Sequence, residues 1–304
     1  MQQQQTVAAF IINSDKYNLP EDYYTDYLKN ISGVTIRDVQ EAAEKYIIPE
    51  KVNIVVAGNA DEISKELKQF GHVNIYDKNG NKIEKKIFEI PRGLTGNMVV
   101  SNYTKALGGK EKLDNVKDRT TVMTGKLRGR KVIMTVYQKA PDKMRQKVIA
   151  GPIVQNLYYN GVHGTLRVAK KTLEVKGAEL EKLKYESMLG LLTHLKSIGI
   201  KLRLDGTATV AGINAYKVAM IFPSGTKWIQ YYSTETWLKM KVVKEIKVAR
   251  GTFKEVTYLG NYRDVDGIKY PFAMRQSIGE QQIDLTVSSI KVNTGLSDNL
   301  FNAN

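Results

Sequence analysis

The residues of this chain best suited to metal or acid–base chemistry are three histidines, His72, His163 and His194. A zinc hydrolase needs two histidines on one helix face, a further ligand and a general base. No two of these histidines lie within four residues of each other, and neither H-E-x-x-H nor H-x-x-E-H occurs. Each reads as a surface or capping imidazole. Ser224 and Lys227 have S-x-x-K spacing in "PSGTKW". That spacing works where a helix N-terminus sets the lysine beside the hydroxyl; here Pro-Ser-Gly joins two strand patterns and predicts a hairpin turn. "LGGKEKL" lacks the preceding strand of a phosphate loop and reads as a helix stop. Asp264 and Asp266 beside Gly267 offer too few oxygen ligands for calcium and read as a tight turn. There is no G-x-S-x-G and no cysteine, which excludes disulfides, thiolate metal sites and cysteine catalysis. The expectation is no catalytic residue, no metal ligand and no cofactor.

The elements around these residues divide the chain in two. Its 304 residues set a prior of about two domains. The first third is helical. "NLPEDYYTDYLKNI" places Pro20 near a helix start and Tyr23, Tyr27 and Ile31 on one face. In "GVTIRDVQEAAEKYI", Thr35 is the expected N-cap, Asp38 completes an approximate capping box, and Pro49 forbids continuation. "VNIVVAG" is apolar on both faces and predicts an interior strand covered on both sides. "ADEISKELKQF" predicts a helix ended by Gly71, and "HVNIYDKNGNKIE" a strand, an Asn-Gly turn and a short return. Residues 84–94 read as a linker.

Beyond it, "TGNMVVSNYTKALGG" predicts a helix stopped by Gly108 and Gly109. From about residue 118, runs of alternating apolar and polar residues follow one another, roughly ten in all, with Gly, Pro, Asn and Asp at the turns. One helix interrupts them, "GAELEKLKYESMLGLLTHL". The fold class is therefore α+β: a small helix-and-strand region, then a large antiparallel sheet that curls into a half-barrel, with the inserted helix as a lid.

The formal net charge is +15. Lysines alternate with apolar residues, as on the wet face of a strand, and no nucleic-acid motif occurs, so no nucleic-acid partner is expected. The basic surface would favour peripheral contact with anionic membrane. "MQQQQTVAAFIIN" lacks the basic and apolar regions of a signal peptide, and no apolar run approaches the roughly 20 residues of a membrane span.

Two resemblances follow from the motifs. Leu19, Pro20, Tyr23, Tyr24, Val34, Thr35, Asp38, Val39, Ala43, Tyr46, Pro49, Ile54 to Val56 and Gly58 match a pattern near the C-terminal end of insulinase/pitrilysin-type zinc peptidases. The match runs from about residue 8 to 86 and lacks the zinc motif, so no site residue carries over. It implies that residues 1–90 are a non-catalytic peptidase remnant, inactive as given, with a zinc-bearing peptidase chain as one candidate partner. Residues 91–304 resemble outer-membrane lipoprotein carriers (LolA-like) in "YTKALGGKEKLDNVK", "STETWLKMKVV", "GTFKEVTYLGNYRDVDGIKYPF" and "IKVNTGLSDNLF". That family implies an unclosed barrel, a helix lid, an apolar cavity for acyl chains or a lipidated protein, and a periplasmic or envelope setting.

Alternation supplies candidate cavity residues. Val132, Met134 and Val136 share one strand face, and Met144 and Val148 another. Tyr216, Val218, Met220 and Phe222 form a third stripe; Leu238, Met240 and Val242 form a fourth. Met188, Leu191 and Leu192 come from the lid. Eight of nine methionines lie beyond residue 90, which suits a cavity for flexible ligands and equally an ordinary core. A docking subunit or a purely structural interaction domain are the alternative readings.

Overall fold

A computed structural model describes residues 4–48, 52–58, 60–77, 79–83, 88–127, 129–248, 251–279 and 281–303. The chain divides into two units, Met1–Glu84 and Lys85–Asn304. Pro49 and residues 84–87 of the expected linker lie outside the described residues.

The first unit holds helices α1 (Gln4–Tyr17), α2 (Tyr23–Ser32), α3 (Ile36–Tyr46) and α4 (Ala60–Leu67). The box before α3 forms in full: Thr35 Oγ1 accepts from Asp38 N–H, and the Asp38 carboxylate accepts from Thr35 N–H at 2.8 Å. Two acceptors thus satisfy two amide donors that the helix start leaves without intrahelical partners. Asp77 ties the Asn79–Gly80 turn by accepting from Asn79 and Asn81 N–H, but the expected return strand is one isolated bridge, Tyr76 to Lys82.

The expected interior strand does not form. Residues 52–57 are unpaired and exposed, with Val55 91% accessible and Ile54 62%. The reason is pairing: an interior strand needs a neighbour on each edge, and no described segment supplies one. No described residue of this unit is buried.

The second unit opens with α5 (Gly96–Leu107), capped by Thr95 Oγ1 accepting from Met98 N–H, and a short α6 (Lys110–Asp114). Gly108, at φ +133°, turns the chain out of α5. Thirteen strands follow: β1 (Asp118–Leu127), β2 (Arg130–Lys139), β3 (Lys143–Ala150), β4 (Ile153–Tyr159), β5 (Gly164–Val168), β6 (Lys171–Val175), β7 (Lys201–Val210), β8 (Ile213–Ile221), β9 (Lys227–Ser233), β10 (Lys239–Val248), β11 (Gly251–Val265), β12 (Ile268–Ile278) and β13 (Gln281–Val292). All pairings are antiparallel, in the order β6-β5-β4-β3-β2-β1-β13-β12-β11-β10-β9-β8-β7. The fold class is α+β, with one large curled, unclosed sheet.

Topology explains the lid. Two meanders, β1–β6 and β7–β13, join where β1 pairs β13. The chain leaves the sheet at one edge, β6, and re-enters at the other, β7. Residues 176–200 must therefore cross one face, and α7 (Gly177–Ser187) makes that crossing, touching β4 and β10. We call the crossed face the inner face. The expected long helix ends early. Met188 is extended at ψ 112°, and Leu191–Thr193 form a separate 3-10 turn around Gly190. The break lets Met188, Leu189 and Leu192 reach different apolar clusters instead of one helix stripe.

Three strands lie beyond the runs read from the sequence. β6 is short and mostly exposed, so it lacks apolar alternation. β7 carries a register shift between Leu204 and Gly206. β12 contains Pro271, which normally argues against an interior strand. Pro271 sits opposite Tyr262 of β11, in a stretch that β13 does not pair; β13 joins β12 only from Ala273 onward. The missing N–H is placed where β12 has a single neighbour.

Candidate functional site

The inner face is marked by Gln138, whose Nε2 donates to Glu186 O of α7 at 2.9 Å. Strand alternation then puts Val132, Met134 and Val136 on the same face. Directly opposite Met134 stand Met123 of β1 and Val148 of β3.

Five apolar clusters cover this face. Val99, Val100, Tyr103 and Leu107 of α5 pack on Tyr216, Val218 and Tyr232. Tyr185 of α7 packs on Met220, Phe222 and Trp228; the Tyr185 and Phe222 rings are 4.2 Å apart. Val116 packs on Ile268 and Tyr270, and Leu183 on Met144 and Tyr159. The remaining cluster differs. Met123, Leu285 and Val287 are buried beneath half-buried Met134, Val136, Phe272, Met274, Ile283 and Ile290, all from β1, β2, β12 and β13, with no helix residue.

The candidate cavity residues thus fall in distinct places. Tyr216, Met220, Phe222 and Met144 are buried under helices. Met188 and Leu192 pack against the helix-covered clusters as part of the segment after α7. Met134 belongs to the strand-only cluster, and Val136 packs against both that cluster and the helix-covered one around Met144. Val132 is buried on the same strand face, opposite Gly125. Met240 is the extra residue at the register shift between Lys239 and Lys241, which breaks the expected alternation from Leu238 to Val242, and it joins none of the five apolar clusters. Just before it, Lys239 turns inward, its Nζ 5.3 Å from the Tyr103 ring centroid and 3.4 Å from Gln230 Oε1.

The inner face also carries buried charge that alternation did not reveal. Lys182 of α7 donates to Glu255 of β11 at 2.6 Å, and Lys244 of β10 bonds Glu186 of α7 and lies 3.5 Å from Glu255. Glu255 is 3% exposed. Burial alone would raise its pKa, but Lys244 and Lys182 outweigh it and hold the carboxyl below its ordinary value. Arg119 of β1 bonds Gln138 Oε1 and lies over the Tyr270 ring, yet its Nε is buried and meets no described partner. Tyr262 donates to Lys239 O at 2.8 Å, and its hydroxyl is also bonded to that of Tyr103. Burial pushes Tyr103 up to about 12, and burial with Lys244 nearby pulls Lys239 down to about 8.

Of the three histidines, His194 sits in the segment after α7, its Nδ1 3.0 Å from Gly190 O and 3.9 Å from Asp114 Oδ1. Ser224 bonds Thr226 in the turn between β8 and β9, at 2.9 Å, rather than Lys227. Asp264 Oδ1 accepts from Gly267 N–H in the turn before β12. Among the described residues no group of three or more His, Asp or Glu could hold a metal ion. No helix among them is long and apolar enough to cross a membrane.

No protein-family model matches the chain, and no curated protein matches it. Among solved structures it is similar to a DUF1329 family protein from Desulfovibrio piger, at 15% identity and TM-score 0.46, over 67% of this chain and 97% of that one. A putative outer membrane lipoprotein-sorting protein domain from Vibrio parahaemolyticus follows, at 14% identity and TM-score 0.45, over 68% and 96%. A LolA superfamily protein from Nitrosomonas europaea matches at 9% identity and TM-score 0.45, over 69% and 98%. None of these three is described as a peptidase, and the insulinase-type resemblance of residues 8–86 gains no support from any of the comparisons.

Proposed function

We propose that residues 85–304 form a binding unit rather than an enzyme, holding an apolar ligand on the inner face of the sheet. The ligand class is an acyl chain, whether free, in a lipid or on a lipidated protein. The observation that carries this is the strand-only cluster. Its three buried residues are covered by flexible and half-buried side chains, Met134, Met274 and Ile283 among them, instead of by a helix. Unbranched methionines can part and re-pack around a chain of variable shape at low cost. The helix-covered residues Tyr216, Met220 and Phe222 then serve as the wall that holds the lid. The periplasmic or envelope setting rests on the sequence resemblance alone.

The test is binding of the neutral fluorophore N-phenyl-1-naphthylamine to the full chain. Wild type should bind it with enhanced emission. Met134→Arg should weaken binding at least tenfold while leaving the melting midpoint within a few degrees. Unchanged affinity in a folded Met134→Arg protein would remove the strand-only cluster from the site.

A second reading concerns residues 52–57. Their exposed Val52, Ile54, Val55 and Val56 form a strand sequence without a strand, which favours pairing with the sheet edge of another chain. A zinc-bearing peptidase chain is the partner that the sequence resemblance implies.

A further inference from the structure

The buried charges of the inner face do not balance. Lys182 and Lys244 are answered by Glu186 and Glu255, two cations by two carboxylates. Arg119 and Lys239 have no such answer: among the described residues neither makes an ion pair. Both act on Tyr103 of α5. Lys239 lies over its ring, and Arg119 is close enough to influence its hydroxyl. Tyr262, bonded to Tyr103 and to Lys239 O, completes the ring of groups. The neighbours of the two cations are neutral acceptors, Gln138 for Arg119 and Gln230 for Lys239. Asp118, next in sequence to Arg119, is spent elsewhere, accepting from Thr294, Gly295 and Leu296 N–H.

A half-buried guanidinium without an anion, whose Nε is buried and unsatisfied, costs stability that an arriving anion would return. The guanidinium fork suits a carboxylate or phosphate, and a lysine beside it adds a point charge. Position matters as much as charge. Arg119 shares the inner face of β1 with Thr121 and Met123, since alternate residues of a strand point the same way. Arg119 is thus at one end of the stripe, and Met123, buried in the strand-only cluster, is at the other. The separation is about 13 Å at the usual strand rise, the length of a medium acyl chain.

We propose that Arg119 and Lys239, around Tyr103, form an anion subsite that takes the acidic head of an amphiphile whose apolar chain runs along β1 to the Met123 cluster. This rests on the apolar-ligand reading above and adds the headgroup class to it. The ligand carries a carboxylate or a phosphate on an unbranched chain.

The experiment displaces N-phenyl-1-naphthylamine from the full chain with decanoate, decyl phosphate or decan-1-ol. Both anions should displace the probe at concentrations at least tenfold below the alcohol. The stronger of the two identifies the headgroup. Arg119→Met and Lys239→Met should each bring the anions to the alcohol's potency and leave the alcohol unchanged. Arg119→Lys, which keeps the charge and loses the fork, should fall between. Equal potency of anions and alcohol on wild type would overturn the subsite while the apolar site stands. A preference that survives in both methionine variants would also overturn it. A probe that never binds, or that no ligand displaces, would bring down the apolar reading and the subsite with it.

Discussion

Glu255→Gln is the sharpest test of how the lid is held. Glu255 lies on β11, and the two cations that reach it come from α7 (Lys182, 2.6 Å) and β10 (Lys244, 3.5 Å). Glutamine keeps an acceptor oxygen but removes the charge, leaving two half-buried ammonium groups to share Glu186. Breaking a buried pair in this way costs roughly 3–5 kcal/mol, because the desolvated partner is left unanswered. With a urea slope of about 3 kcal/mol per molar, the unfolding midpoint should fall by about 1 to 1.7 M. Both tryptophans, Trp228 and Trp237, lie in the second unit, so intrinsic fluorescence follows that unit alone. Lys244 Nζ lies 4.6 Å from the Trp228 ring centroid, so the local signal is sensitive to the same site.

The pH arm has a definite sign. Glu255 has a folded pKa below its ordinary 4.5, so it stabilises fully above that value, and the contribution disappears as pH falls through the lower folded pKa. The gap between wild type and Glu255→Gln should therefore narrow below about pH 4.5. Replacing all four charges at once (Lys182→Met, Glu186→Leu, Lys244→Met, Glu255→Leu) should recover most of the loss, because burying a well-made pair is itself nearly neutral. A midpoint shift under about 0.3 M, or a gap that stays constant into acid, would refute the account.

Two further outcomes are expected. Gly108→Ala should cost about 2 kcal/mol or more, since its added Cβ would strike Gly267 O and its φ of +133° disfavours any side chain; Gly109→Ala, at φ +95° in open space, should cost about 1 kcal/mol. Equal melting midpoints for the two variants would show that the contact with Gly267 is unimportant. Residues 1–84 made alone should show helical circular dichroism without a cooperative melt, because α2 and α3 bury no residue; a sharp transition would mean the unit has a core of its own.

How much of this was legible in the sequence depends on which signals are local. Thr35 and Asp38 announce a helix start, and the box forms, because both groups act within one turn. Tyr216, Val218, Met220 and Phe222 announce a buried strand face, and the face is buried, because alternation is geometric. "VNIVVAG" announces an interior strand just as clearly and does not become one. A strand's pairing depends on partners outside its own residues, and no local pattern guarantees them.

The charged part of the inner face was illegible for a related reason. In "LKMKVVKEI" the lysines look alike, each set between apolar residues as on a solvated face. Lys241 does lie outward, between the Tyr231 and Tyr258 rings at 5.3 and 5.2 Å. Strict alternation would put Lys239 outward with it. The register shift between them reverses that, turning Lys239 in toward Tyr103 and leaving Met240 out of the apolar clusters. Lys244 then faces in as well, beyond the same bulge. One extra residue in one strand thus moves a cation from water to the interior, where it has an energetic reason to seek an anion. Deleting Met240 would remove the extra residue without exchanging the lysines: Lys239 would directly precede outward Lys241 and stay inward by simple alternation. Its pKa should therefore remain at about 8, where burial and Lys244 hold it, and a return toward the ordinary lysine value on titration would refute this account of the bulge.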